Sequence, residues 1–150
     1  MEQVELNKSM KLSEHYSLGE LTKTKHVTPD GNIPSRVVIE NLRRLCENWL
    51  EELRRGWNEP IIINSGYRSP AVNKLAGGSN TSNHLTGCAV DIRCVGKEQM
   101  IRYAAILLDI ADDTKQDFDE LLLEQHGSTC WLHFAVRPKD NRRRIEFLKV

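Results

Sequence analysis

The chain has 150 residues, 39% of them hydrophobic and 28% charged, which suits one globular domain with a buried core and is short for two. Lysine plus arginine and aspartate plus glutamate both number 21, so the formal net charge is zero. That balance excludes a long-range field drawing the protein to nucleic acid or an anionic membrane, and recognition must be local.

The first twenty residues, MEQVELNKSMKLSEHYSLGE, lack an apolar run of signal-peptide length, and nothing later approaches a membrane span. Cytoplasmic synthesis without a signal peptide is expected, with no membrane partner and a monomeric state. Residues 1–11 are polar and expected to be loosely held. Cys46, Cys88, Cys94 and Cys130 show no CxxC pairing, so they read as reduced, mostly buried thiols.

Turn chemistry in Thr28 to Pro34 (TPDGNIP) precedes Ser35, the expected N-cap of a helix that ends before Gly56. Val38, Leu42, Leu45, Trp49 and Leu53 recur at helical spacing and face the core together. A second helix is expected from about Lys97 to Asp112, with Ile101, Ala104, Leu108 and Ala111 on its inner face. Strands are expected at Ile61–Asn64, Ala89–Arg93, Phe118–Glu124, Trp131–Val136 and Ile145–Leu148. The third and fourth would form a hairpin around a six-residue loop, Gln125 to Cys130. Together these elements predict a single α+β domain over residues 1–150, with helices packed on one side of a small antiparallel sheet.

Two segments carry the chemistry. SNHLTGCAVD, Ser82 to Asp91, sets a histidine and an aspartate seven apart, with a strand beginning at Ala89. Alternation turns Val90 and Ile92 to one face and Asp91 to the other. In WLHFA, Trp131 to Ala135, the same rule takes His133 off the face occupied by Leu132 and Phe134. His84 alone reads as a surface or hydrogen-bonded side chain. Two histidines and one carboxylate together make a three-ligand set for catalytic zinc, which leaves a fourth position for water.

The motifs SGYRSP (Ser65–Pro70), GGSNTSNHLTGCAVDI (Gly77–Ile92) and WLH (Trp131–His133) resemble the zinc D-alanyl-D-alanine carboxypeptidases, with their phage endolysin and vancomycin-resistance dipeptidase relatives. The resemblance runs from about Leu12 to Pro138. It implies Zn²⁺ held by His84, Asp91 and His133, and a peptidoglycan peptide as substrate. It also implies a substrate- and oxyanion-contacting role for Arg68, as a fixed guanidinium can fill. Ser82 falls near the substrate in these relatives and equally suits a turn hydroxyl. Tyr67 reads as a wall of the substrate site.

Many relatives carry a glutamate three residues before the last histidine, and here that position is Cys130. The segment FDELLLE, Phe118 to Glu124, with the WLHF strand after it, is similar to a hairpin of the hedgehog signalling domain, which shares this zinc fold. That similarity makes Glu124 the expected general base, with Glu120 or His126 next in line. His126, in the loop, reads as a bystander. Two function classes stand open: a hydrolase acting on D-Ala-D-Ala or L-Ala-D-Glu bonds, including a phage lysin released to the wall, and a zinc-containing peptide- or wall-binding module without catalysis.

Overall fold

The computed structural model describes residues 7–150. Of the N-terminal segment expected to be loose, residues 1–6 lie outside that range. The rest is tied down: Leu18 N donates to the Met10 carbonyl at 2.8 Å and Gly19 N to that of Lys8 at 2.9 Å. These bonds lead into helix α1 (Leu18–Thr22), whose Ser17 and Glu20 form a reciprocal capping box.

Helix α2 (Arg36–Leu45) begins where Ser35 Oγ accepts from Val38 N. It passes through a π-helical turn, Cys46–Leu50, into α3 (Glu51–Trp57). The expected stop before Gly56 is thus corrected. One glycine inside a helix is tolerated, and the chain reverses only at Asn58, which takes the left-handed conformation at φ 63°. All five stripe residues from Val38 to Leu53 are buried.

Strand β1 (Ile63–Ser65) and the short helix α4 (Pro70–Leu75) follow. A 3₁₀ turn at Asn83–Thr86 then leads into β2 (Ala89–Cys94). Helix α5 (Gly96–Thr114) buries Met100, Tyr103, Ala104, Leu107, Ile110 and Ala111. Ala104 and Ala111 lie on its inner face as predicted, but that face is rotated toward Tyr103 and Leu107: Ile101 is 52% exposed and Leu108 only half-buried. Tyr103 packs edge-on against Trp57, ring centroids 5.0 Å apart, and this contact draws that side of the helix onto α3.

Strands β3 (Glu120–His126), β4 (Thr129–Ala135) and β5 (Arg144–Lys149) complete a five-stranded sheet of order β1-β2-β4-β3-β5. The hairpin turns on Gly127 and Ser128 alone, with His126 opposite Thr129, in place of the six-residue loop expected. Gly127, at φ 58°, supplies the positive dihedral that a two-residue turn needs. The sheet is antiparallel except that β5 runs parallel to β3. Residues 136–143 carry the chain past the start of β3, where Arg144 N donates to the Asp119 carbonyl.

The core lies between this sheet and the long helices. Trp49 meets Phe118 and Phe134 at ring-centroid distances of 6.4 and 5.1 Å, and Val90, Ile92, Leu121 and Leu132 complete the layer. Truncating a buried aromatic such as Trp49 costs about 3–5 kcal/mol. Among the described residues, no helix is long and apolar enough to cross a membrane.

Candidate metal centre

Asp91 and His133 are direct cross-strand partners on β2 and β4. Their neighbours Val90, Ile92, Leu132 and Phe134 are fully buried in the core, so the pleat turns Asp91 and His133 to the opposite face. There His133 Nδ1 lies 3.0 Å from Asp91 Oδ1.

His84 arrives from the 3₁₀ turn, whose first backbone donors are capped by Ser82: His84 N donates to Ser82 Oγ at 3.1 Å. His84 Nδ1 sits 2.7 Å from the Gly66 carbonyl. A carbonyl only accepts, so Nδ1 carries the proton and Nε2 keeps its lone pair. That Nε2 points at Asp91 Oδ2, 3.3 Å away. Gly66 must be glycine here, because a Cβ would lie 2.3 Å from the Leu21 carbonyl oxygen.

One donor atom from each of His84, Asp91 and His133 lies within 4.8 Å of the others. Two imidazoles and one carboxylate, with His84 held in the ligating tautomer, fit a zinc ion with one position to spare. Burial opposes charge on Asp91, yet the two imidazoles hold its carboxyl well below the usual range. Burial likewise opposes charge on His133, but hydrogen bonds to Asp91 and Glu120 win, and its imidazolium is pushed up to about 9. A cation entering the site must displace that proton.

The three ligand candidates share a cavity of about 600 Å³ with Arg68, Ser82 and Glu124. Arg68 donates from its Nη2 to Asp91 Oδ2 at 3.1 Å and from Nε to Ser65 Oγ at 3.2 Å, which fixes the guanidinium beside the trio. Ser82 therefore both caps the turn and faces the cavity. Burial pushes the Glu124 carboxyl above its ordinary range.

Other candidates fall elsewhere. Tyr67 is corrected from substrate wall to core residue: it is buried among the apolar side chains and does not line the cavity. His126 is exposed at the hairpin end, with Nδ1 at 2.6 Å from the Val150 carbonyl. All four cysteines are buried and unbridged. Cys130 is opposite Cys94 and belongs to the core layer.

Glu120, next in line for the base on the sequence, lines the same cavity and contacts His133. Its Oε1 lies 3.0 Å from His133 Nε2 and accepts from Asn83 Nδ2 at 2.7 Å. The hydrogen bond with His133 holds its carboxyl below the usual range. The alternation that takes Glu124 off the core face also takes Glu120 off it. Asn83, Asp119 and Arg142 carried no sequence signal, since only the tertiary fold brings them together.

The family model for peptidase M15 matches residues 14–120, more than two thirds of the chain. The chain belongs to the peptidase M15 family. As an M15 member it is a metallopeptidase of a zinc-dependent family, and its substrate is a peptide. The match takes in Arg68, Ser82, His84 and Asp91, while Glu124 and His133 lie beyond it and enter the site through the sheet register. Comparison with curated proteins gave no match.

Proposed function

We propose that this M15 peptidase hydrolyses peptides of the bacterial cell wall, at a D-Ala-D-Ala or L-Ala-D-Glu bond. The observation that carries hydrolysis is the Glu124 carboxylate, which shares one cavity with the His84–Asp91–His133 cluster and is poised by burial to exchange a proton. When bound, zinc activates water and polarises a carbonyl. Glu124 takes the water's proton and delivers it to the leaving amine. Arg68, anchored by Ser65, offers its guanidinium to a substrate carboxylate or to the oxyanion developing at the scissile carbonyl.

The competing reading is a zinc-holding peptide- or wall-binding module, and Cys130 at the position of many relatives' glutamate speaks for it. Release to the wall as a phage lysin is one setting that the cell-wall proposal accommodates. The test is mass spectrometry of purified peptidoglycan fragments after incubation with the zinc-loaded protein. New products whose masses match cleavage at one of the two bonds support the proposal. Retention of a wall peptide without any product favours the binding module.

A further inference from the structure

Glu120 approaches His133 from the side opposite Asp91. The ring lies between two carboxylates, with Nδ1 at 3.0 Å from Asp91 Oδ1 and Nε2 at 3.0 Å from Glu120 Oε1. We propose that Glu120 is the positioning residue of the metal centre, accepting the Nε2 proton of His133 and so presenting the Nδ1 lone pair to the metal. The proposal rests on the metallopeptidase reading and deepens it.

A neutral imidazole has one donor and one acceptor nitrogen. An ionised carboxylate can only accept, so each ring nitrogen faces an acceptor; once a metal takes Nδ1 in place of a proton, the Glu120 contact keeps the remaining proton on Nε2. Nδ1 then faces the side where His84 Nε2 and Asp91 converge. Without Glu120, the Asp91 contact would favour the proton on Nδ1, the side on which the metal must bind.

Glu120 can impose this choice because it is itself immobilised. Its residue is 9% exposed. Oε1 accepts from Asn83 Nδ2, and Arg144 Nη1 donates to Oε2 at 3.4 Å. Asn83 Nδ2 also lies 2.8 Å from Asp119 Oδ2, and Arg142 grips Asp119 with two bonds, Nε to Oδ1 at 3.0 Å and Nη2 to Oδ2 at 2.8 Å. Asn83 immediately precedes His84, so one buried amide links the supports of both imidazoles.

Glu120 and Glu124 consequently divide the work of β3. Glu120 Oε1 is occupied by His133 and Asn83, and Glu120 does not belong to the cluster whose donor atoms lie within 4.8 Å. It acts through His133. Glu124 keeps its carboxylate for the reaction.

Zinc affinity and histidine tautomers in full-length protein test the assignment. Zinc dissociation constants come from chelator competition, and imidazole nitrogens are read by NMR on ¹⁵N-histidine-labelled protein. In zinc-loaded wild type, His133 should show a coordinated Nδ1 and a proton on Nε2 protected from water. Glu120→Ala should weaken zinc about ten- to a hundred-fold and expose that proton to exchange. Glu120→Gln keeps an accepting oxygen in the same shape, and should retain the Nε2-protonated tautomer with a smaller loss of affinity. A purely structural role would lower thermal stability without this graded change in affinity and proton protection. Wild-type zinc affinity in folded Glu120→Ala overturns the proposal, as does zinc on Nε2 in the wild type. If Glu120→Ala does not fold, Glu120→Gln decides: loss of the Nε2-protonated tautomer there overturns it. Failure of the wild type to bind zinc overturns this proposal and the metallopeptidase reading together, whereas equal zinc binding by wild type and variants removes this one alone.

Discussion

The indole N–H of Trp131 donates to Glu124 Oε2 at 2.8 Å across the β3–β4 hairpin, where the two residues are direct partners. This bond holds the candidate base at a fixed height above the sheet. Glu124→Gln keeps the shape and removes the proton acceptor, so turnover should fall about a hundred- to ten-thousand-fold while zinc content stays at the wild-type level. Steady-state kinetics beside metal analysis checks this. Near-normal turnover in that variant would assign the base elsewhere.

Metal content should follow the three ligands. The purified wild type should carry about one zinc per chain, and chelation should abolish peptidase activity. His133→Ala should lose the metal. Replacing all four cysteines by serine or alanine should leave zinc in place at some cost in stability, because every thiol is buried away from the cluster. Loss of zinc on changing Cys130 alone would mean a different ligand set.

Arg68 meets both ground-state and developing charge in the proposed reaction. Arg68→Ala should therefore raise KM and lower kcat together, with a combined loss of about a hundred-fold or more in kcat/KM. A change confined to KM would restrict Arg68 to substrate binding.

Gly66 supplies the carbonyl that sets the His84 tautomer, and its α-carbon passes against the Leu21 carbonyl. Gly66→Ala must move one of these backbones. The expected outcome is weaker zinc binding with most of the fold retained, measured by chelator competition and circular dichroism. Unchanged affinity would show that the His84 tautomer does not depend on this contact.

Asp119 gives the acid limb of stability. Burial opposes its charge, but Arg142, Asn83 and Arg137 outweigh that, and its carboxyl is pushed down to about 2. A depressed carboxylate stabilises the fold above its unfolded value of about 4 and loses that contribution as pH falls toward about 2. Urea unfolding of the metal-free protein between pH 5 and 2 should show a steeper decline for wild type than for Asp119→Asn. Parallel curves would remove Asp119 from this role.

Much of this site was legible in the chain because period-two alternation is a local rule. Asp91 and His133 sit between core-facing apolar residues, and that pattern alone turned them to a shared face. The stripe from Val38 to Leu53 was legible for the same reason, at helical period. The rest depended on contacts between distant segments. Tyr103, and not Ile101, faces inward because Trp57 lies on that side. Tyr67 reads as a wall beside Arg68, yet its backbone N–H bonds the Leu21 carbonyl and its ring enters the core. Glu120 and Glu124 look alike on one strand, and only Asn83, Trp131 and the position of His133 distinguish them.

The pairing of Asp91 with His133 also gives the metal centre a parity. Successive side chains of a strand alternate between faces, so a one-residue shift of β4 against β2 reverses every side chain it carries. Such a shift would bury the His133 imidazole against Trp49 and Phe118 and bring an apolar neighbour to Asp91. A two-residue shift would restore the face but offer Trp131 or Ala135 in its place. The sheet therefore admits one alignment of these central strands, the alignment that closes the apolar layer, and the same alignment brings His133 to Asp91. Deletions within β4 should abolish metal binding even where a fold survives, while length changes in residues 138–141, beyond the last rung at Ala135, leave that parity untouched.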